Sequence, residues 1–337
     1  VEKKMYRKVI VFLLIIILLS SFNIPVFASN ANVLYGKVVI LDAGHGVETT
    51  NFFRGYDEQA AMLALAHKIK PLLEAHGATV HLTRSTPANV LLSARVAMAN
   101  IWSLDALKRT VEQNSSGFDS ILGTLIEIDR LINIMGLIIK NPQAYESFFF
   151  NTPFSPSEPI HPDLERIFEL QSNPVIADNF LFISLHSNAT AIPINTAVHG
   201  ADVFHISNEH PRLSDYYSNY SHVERSIEFS EILLDYIHET GIQRQTVSPA
   251  NFFVIREHNL PAVLVENGHH TNTADRTKLM DDEYLDRLAF AYLNAIIDFF
   301  SDINTPLTLF LTDLLHSSST RIRYNIRSTW FHLRQLR

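Results

Sequence analysis

The chain contains no cysteine. That excludes disulfides, a thiol nucleophile, iron–sulfur clusters and Cys-ligated zinc, so any metal site has to be built from His, Asp and Glu. Basic residues are in deficit, with 27 Lys and Arg against 35 Asp and Glu and a net charge of −8, which argues against nucleic acid as a partner. Glycine and proline are sparse, 11 and 14 in 337 residues, while 47% of the chain is hydrophobic. Collagen-like and wholly disordered chains are thereby excluded, and the length suffices for one large domain or two small ones with a sizeable core. Two common hydrolase motifs are missing. There is no Gly-x-Ser-x-Gly, and His238-Glu239 is followed by Thr240-Gly241 and not by the second histidine of His-Glu-x-x-His.

What is present begins with an address. Residues 1–28 read as a secretory signal peptide: Lys3, Lys4, Arg7 and Lys8, an apolar run Val9–Leu19, Pro25, then Val26-Phe27-Ala28 before Ser29. The apolar run is about half of the roughly 20 residues a bilayer span needs, so cleavage is favoured over an uncleaved anchor. The expected location is outside the cytosol, secreted or in the cell envelope. Membrane contact is expected only through an uncleaved signal or a basic tail.

Strand and helix signals then alternate. Lys37-Val38-Val39-Ile40-Leu41 is a short apolar run typical of a strand buried on both faces, ending in Asp42-Ala43-Gly44-His45-Gly46. Glu58–His76 has helical spacing closed by Gly77, Thr79–Thr83 is a second strand and Val90–Asn100 a second helix. Phe180–Leu185 is a strong buried strand, Gly200–Ile206 another, and His222–Thr240 a helix. Asn251–Arg256 and Ala262–Val265 are further short strands, and Asp282–Phe300 is a last amphipathic helix. This order predicts an α/β fold, an open and mainly parallel sheet with helices on both faces. The catalytic domain is set at 35–302. Residues 101–178 interrupt it as an acidic, mostly helical insert, in which Ile121, Leu122, Leu125, Ile132 and Ile139 are expected on one face of a helix over Phe118–Lys140. A Pro-rich stretch Pro153–Pro162 and a short helix near Leu164–Leu170 follow. An arginine-rich tail, 303–337, lies beyond.

In open α/β sheets ligands bind at the carboxyl ends of strands. His45 follows the first strand, His186 follows the strand ending at Leu185, Glu266 follows Ala262–Val265, and Glu58 opens the first helix. Two histidines and a carboxylate with an open position are the usual protein share of a hydrolytic zinc site, and a further carboxylate can take a proton from water. A lone histidine after a strand is, on spacing alone, more often a hydrogen-bonded structural residue than a ligand.

The motifs around these residues resemble the zinc-dependent N-acetylmuramoyl-L-alanine amidase family, the amidase-3 type of cell-wall hydrolase. Val39-Ile40-Leu41-Asp42-Ala43-Gly44-His45-Gly46 is similar to its opening strand and Gly-His-Gly turn, with Ala43 where proline is usual. Gly55-Tyr56-Asp57-Glu58 resembles its step into the first helix, and Gly77–Arg84, Leu92, Arg95, Ala99 and Asn100 continue in register. Phe182–Ala189 and Pro261–Gly268 resemble the second histidine motif and the closing glutamate motif, with Asn272 and Asp275 following. The resemblance implies a twisted six-stranded sheet and one Zn2+ held by His45, Glu58 and His186. It also implies Glu266 as catalytic base and peptidoglycan as substrate, cut at the amide between N-acetylmuramic acid and L-alanine. His205 and His269 stand where aromatics are usual and are expected to reach the rim or to pack; Asp57 is a rival ligand; Arg256 is expected to orient a carboxylate, structurally or on the substrate. Some family members carry a helical insert that covers the zinc. The resemblance therefore leaves room for a brake, with a carboxylate such as Glu127 on the metal, and for an activator protein acting on the insert. The alternatives are a zinc peptidase or deacetylase acting on another wall bond, and a non-catalytic wall-binding protein on the same scaffold.

Overall fold

A computed structural model describes residues 32–301 apart from 50, 115–117, 146–147, 150–159, 192–193 and 210–219. The signal read at 1–28, most of Pro153–Pro162 and the tail at 303–337 lie outside the described residues. Six strands form one sheet: β1 Val38–Ala43, β2 Thr79–Leu82, β3 Phe180–Asn188, β4 Ala201–His205, β5 Arg244–Pro249 and β6 Ala262–His269. Their spatial order is β2-β1-β3-β6-β4-β5, and every neighbouring pair is parallel except the antiparallel β4–β6 pair. The sheet is thus mainly parallel, as the alternation predicts.

Successive residues of the central strands feed opposite cores, because side chains alternate across a sheet. Val39, Leu41, Leu181, Ile183, Val263 and Val265 pack beneath helices α1 (Glu58–Ala75), α6 (Val223–Glu239) and α9 (Asp282–Ser301). Ile40, Phe180, Phe182, Ala262 and Leu264 face the other way. They meet α2 (Leu92–Asn114), α5 (Pro174–Asn179) and α7 (Phe253–Arg256). With α3 (Phe118–Lys140), α4 (Pro162–Gln171) and α8 (Thr273–Leu279) the α-helices are complete among the described residues, and a 3-10 turn, Pro142–Tyr145, follows α3.

Three expectations are corrected. Asn251–Arg256 is not a strand; its Phe253–Arg256 portion is the single turn of α7, and the missing strand is β5, Arg244–Pro249. β5 is an edge strand with no buried residue, so it lacks the apolar run that marks a central one. The second helix does not stop at Asn100 but continues to Asn114, carrying the chain into the insert without a break. In α3 the buried face is Ile128, Leu131, Met135 and Ile138, while Leu122 is exposed and Ile132 and Ile139 only partly covered. Apolar residues are not confined to that face, since Leu122, Ile126 and Leu137 are exposed, so spacing alone does not select it. The neighbour does, here Leu104 and Leu107 of α2 with Leu164 and Ile167 of α4.

Candidate metal centre

β1 has β2 on one side and β3 on the other, so the chain reverses its direction of travel across the sheet at the β1–β3 boundary. Such a switch point opens a crevice at the strands' carboxyl ends; His45 lies just beyond β1, while His186 lies within β3, which runs on past Leu185 to Asn188. His45 has φ 61°, a left-handed conformation that a side-chain-bearing residue adopts at a cost of order 1 kcal/mol or more. Two buried arginines hold the turn by its carbonyls. Arg84 donates to Ala43 O at 2.8 Å and to Gly44 O at 2.7 Å; Arg95 donates to Ala43 O at 2.6 Å and to His45 O. The Asp42 carboxylate balances Arg95 at 2.7 Å and accepts from the Thr83 and Ser184 hydroxyls. Burial works to raise the Asp42 pKa, but the Arg95 charge and these donors hold it below the ordinary value. Gly44 is required by contact: a Cβ there would lie 2.4 Å from the His186 ring.

Glu58 is the first residue of α1, where the helix dipole favours a carboxylate. Its Oε1 faces His45 Nε2 at 3.2 Å and His186 Nδ1 at 3.1 Å, and it accepts from the Ser187 backbone N–H at 3.0 Å. Burial would raise the Glu58 pKa; the two histidines bring it down to about 2. One ligand atom from each of His45, Glu58 and His186 lies within 4.8 Å of the others. Glu58 Oε2 is buried with no hydrogen-bond partner, an arrangement that costs free energy unless something else satisfies the oxygen. A His-His-Glu donor set with an orphaned carboxylate oxygen fits a divalent cation such as zinc.

Glu266 pairs in register with His186 across the β3–β6 ladder. Its Oε2 is also shielded and unpartnered, and burial, then the Glu58 and Asp202 charges, push its pKa well above the ordinary carboxylate value. The structure therefore brings His45, Glu58, His186 and Glu266 to one end of three adjacent strands.

The secondary candidates go elsewhere. Asp57 is not in the cluster and accepts from Gln59 Nε2 at 3.2 Å. His205 pairs with Val263, at the opposite end of β6 from Glu266, and bonds Ile206 O; it is no rim residue. His269 is buried, its ring bonded to Gly200 O at 3.0 Å. Arg256 lies in α7, paired with Glu257 at 2.7 Å and donating to Asn251 at 2.7 Å, so its role is structural. Glu127, the carboxylate named for a brake, is held by Arg166 in a two-pronged pair at 3.1 and 2.9 Å and is not one of the clustered ligands. The carbonyl-holding work of Arg84 and Arg95 was not foreseen, although both stand in motifs noted above.

The amidase-3 family model, N-acetylmuramoyl-L-alanine amidase, matches residues 39–107 and 162–298, and the chain belongs to this family of hydrolases. The matched stretches leave out residues 108–161, within the insert. An uncharacterised cell wall amidase of Bacillus anthracis is 29% identical over 125 residues, covering 36% of this chain; the match spans only 21% of that protein's length. Among solved structures, the catalytic domain of CwlV, an N-acetylmuramoyl-L-alanine amidase from Bacillus (Paenibacillus) polymyxa var. colistinus, is 20% identical. It aligns over 79% of this chain and 98% of its own, with a TM-score of 0.47. An N-acetylmuramoyl-L-alanine amidase from Clostridium difficile 630 is 17% identical, over 79% and 97%, with a TM-score of 0.49.

Proposed function

We propose that the protein cleaves the amide bond between N-acetylmuramic acid and L-alanine in peptidoglycan, with one Zn2+ held by His45, Glu58 and His186 and with Glu266 as the catalytic base. The observation that carries the proposal is the convergence of three ligand atoms within 4.8 Å, at the strand ends where the unpartnered Glu266 carboxylate also stands. Bound there, zinc supplies Lewis acidity toward an amide carbonyl and toward water.

The chain's own residues divide the remaining work. Arg84 and Arg95 fix the carbonyls of the His45 turn, so the ring is presented without rearrangement. Glu266 Oε2 takes a proton from the attacking water and returns one to the departing L-alanine amine. Its raised pKa suits a group that must hold a proton between those two events, and a nearby cation lowers it toward the working range.

Export through residues 1–28, and hence action in the cell envelope, is part of the proposal and is supported by their basic start and apolar run. Among the described residues no helix is long and apolar enough to cross a membrane. Regulation by the insert, with or without an activator protein, is carried forward without Glu127.

The test is mass spectrometry of the products released from purified peptidoglycan. Stem peptides with a free L-alanine amine are expected, and are expected to disappear when a chelator removes the metal. Glu266→Gln should lower release by about 10²–10⁴-fold with zinc still bound. Unchanged turnover in that variant would remove Glu266 from its role.

A further inference from the structure

A second polar cluster lies beside the metal centre and has no part in the chemistry above. The Tyr56 hydroxyl meets Ser187 Oγ at 2.8 Å, and Ser187 Oγ meets His270 Nδ1 at 3.0 Å. The Tyr56 ring stacks on the His270 ring with centroids 5.1 Å apart and an interplanar angle of 24°. All three side chains are buried, at 1%, 2% and 0% exposure. His270 Nε2 has no partner among the described residues.

Their places in the chain give the cluster its meaning. Tyr56 stands two residues before Glu58, Ser187 directly follows His186, and His270 lies four residues after Glu266. Each member thus belongs to a segment that carries one functional residue, and the three segments come from separate parts of the fold, ahead of α1, in β3 and past the end of β6. Ser187 joins two layers of this arrangement. Its hydroxyl holds Tyr56 and His270, while its backbone N–H donates to Glu58 Oε1 at 3.0 Å.

A cluster that only filled space would gain by being apolar. Replacing paired buried polar groups with hydrocarbon of the same shape is often neutral or stabilising, whereas a buried ring nitrogen left without a partner bears its full desolvation cost. What directed bonds provide and packing does not is a fixed distance and angle between segments.

We propose that Tyr56, Ser187 and His270 form a positioning triad, with Ser187 at its centre, that sets the distance between the Glu58 and His186 segments and so the affinity of the site for its metal. The proposal rests on the metal-site reading above. The hydroxyl of Tyr56 acts on the site only through Ser187, so its effect depends on the serine hydroxyl being present.

The experiment uses the full chain stripped of metal, with Zn2+ alone as probe. Its dissociation constant is measured by competition with a chelator, and the thermal midpoint of each metal-free protein is recorded alongside. Ser187→Ala keeps the backbone N–H and removes the hub. It should weaken Zn2+ binding by about tenfold or more, and the metal-free midpoint should fall as well, because Tyr56 and His270 lose their shared partner. Tyr56→Phe should weaken binding less, and the double variant should bind no worse than Ser187→Ala. Zn2+ binding equal to the parent in all three variants would overturn the triad, as would losses that simply add in the double variant. A lowered metal-free midpoint with unchanged affinity would reduce the cluster to packing. If the parent chain itself fails to bind Zn2+, the metal-site reading falls and the triad with it. That outcome is distinct, because it appears before any substitution is made.

Discussion

The two parts of this molecule handle charge in opposite ways. In the sheet domain charged groups are buried and bonded into position: Asp42 and Arg95 are 1% and 2% exposed, and Glu58 is 1% exposed. In the helical lobe built from the extension of α2 with α3 and α4, the interior is apolar, with Ile128, Leu131, Met135, Ile138, Leu164 and Ile167 all at 0%. There the ion pairs, Lys108–Asp129, Arg130–Asp163 and Arg166–Glu127, lie on the outside. An apolar interior holds helices together without demanding one exact geometry. The sheet domain accepts the desolvation of several charges because its strand ends have to hold a left-handed histidine and a carboxylate in fixed places.

The sharpest way to break that contrast is to remove one partner of the buried pair. Asp42→Asn leaves the Arg95 guanidinium without its counter-charge and weakens the grip on Ala43 O and His45 O. A loss of about 3–5 kcal/mol is expected, the usual cost of breaking a buried pair, measured as a fall in the denaturant midpoint of the metal-free protein. A loss below about 1 kcal/mol would show that the domain and the lobe do not differ in this way.

A second test titrates the domain's interior. His258 is fully buried, with its ring against Phe182 at 4.7 Å, its Nδ1 accepting from Leu260 N and its Nε2 unpartnered. Burial lowers its pKa from 6.5 to about 4, against a smaller opposing pull from backbone carbonyls and Asp42. A histidine depressed in the fold favours the unfolded chain as pH falls. The penalty is absent above pH 6.5, grows as the unfolded ring takes its proton, and levels off near pH 4 at about 3 kcal/mol. Asp42 and Glu58, whose pKa values are lowered, lose their contribution mainly at more acid pH. Stability curves between pH 7 and 4.5 should therefore flatten in His258→Leu relative to the parent. An identical slope in both proteins would mean that the ring takes up its proton in the fold as readily as in the unfolded chain.

The contrast also explains what could be read from the sequence. β1, β3 and β6 are legible because strands buried on both faces must be apolar throughout, and the ligands directly follow those runs, as with Leu185 and His186. β5 is hidden because Arg244–Pro249 has no buried residue, and the apolar Phe252-Phe253-Val254-Ile255 beside it draws the strand assignment to a helical turn. The face of α3 is hidden for a different reason, since apolar residues such as Leu122, Ile126 and Leu137 stand outside the buried stripe as well. His45, Glu58, His186 and Glu266 could be placed one by one, each beside a strand or helix end. The triad of Tyr56, Ser187 and His270 could not, because its members lie 131 and 83 residues apart and only the assembled sheet brings them together.

The smallest expected effect lies in the lobe. Glu127 and Arg166 make a well-shaped two-pronged pair, yet their side chains are 32% and 39% exposed. Water screens them, and holding two long side chains in one arrangement costs entropy, so Glu127→Gln should cost less than about 1 kcal/mol. The loss should shrink further as salt is raised, because exposed pairs are screened within about 10 Å at 0.1 M. Denaturant midpoints at low and high salt measure both. The same variant bears on regulation. If Glu127 were a brake on the metal, its replacement would raise peptidoglycan release; since Arg166 already holds both carboxylate oxygens, release should stay at the parent level. A gain in release would mean that the lobe's outer charges act on the site, so that the two parts of the molecule are not separated by how they use charge.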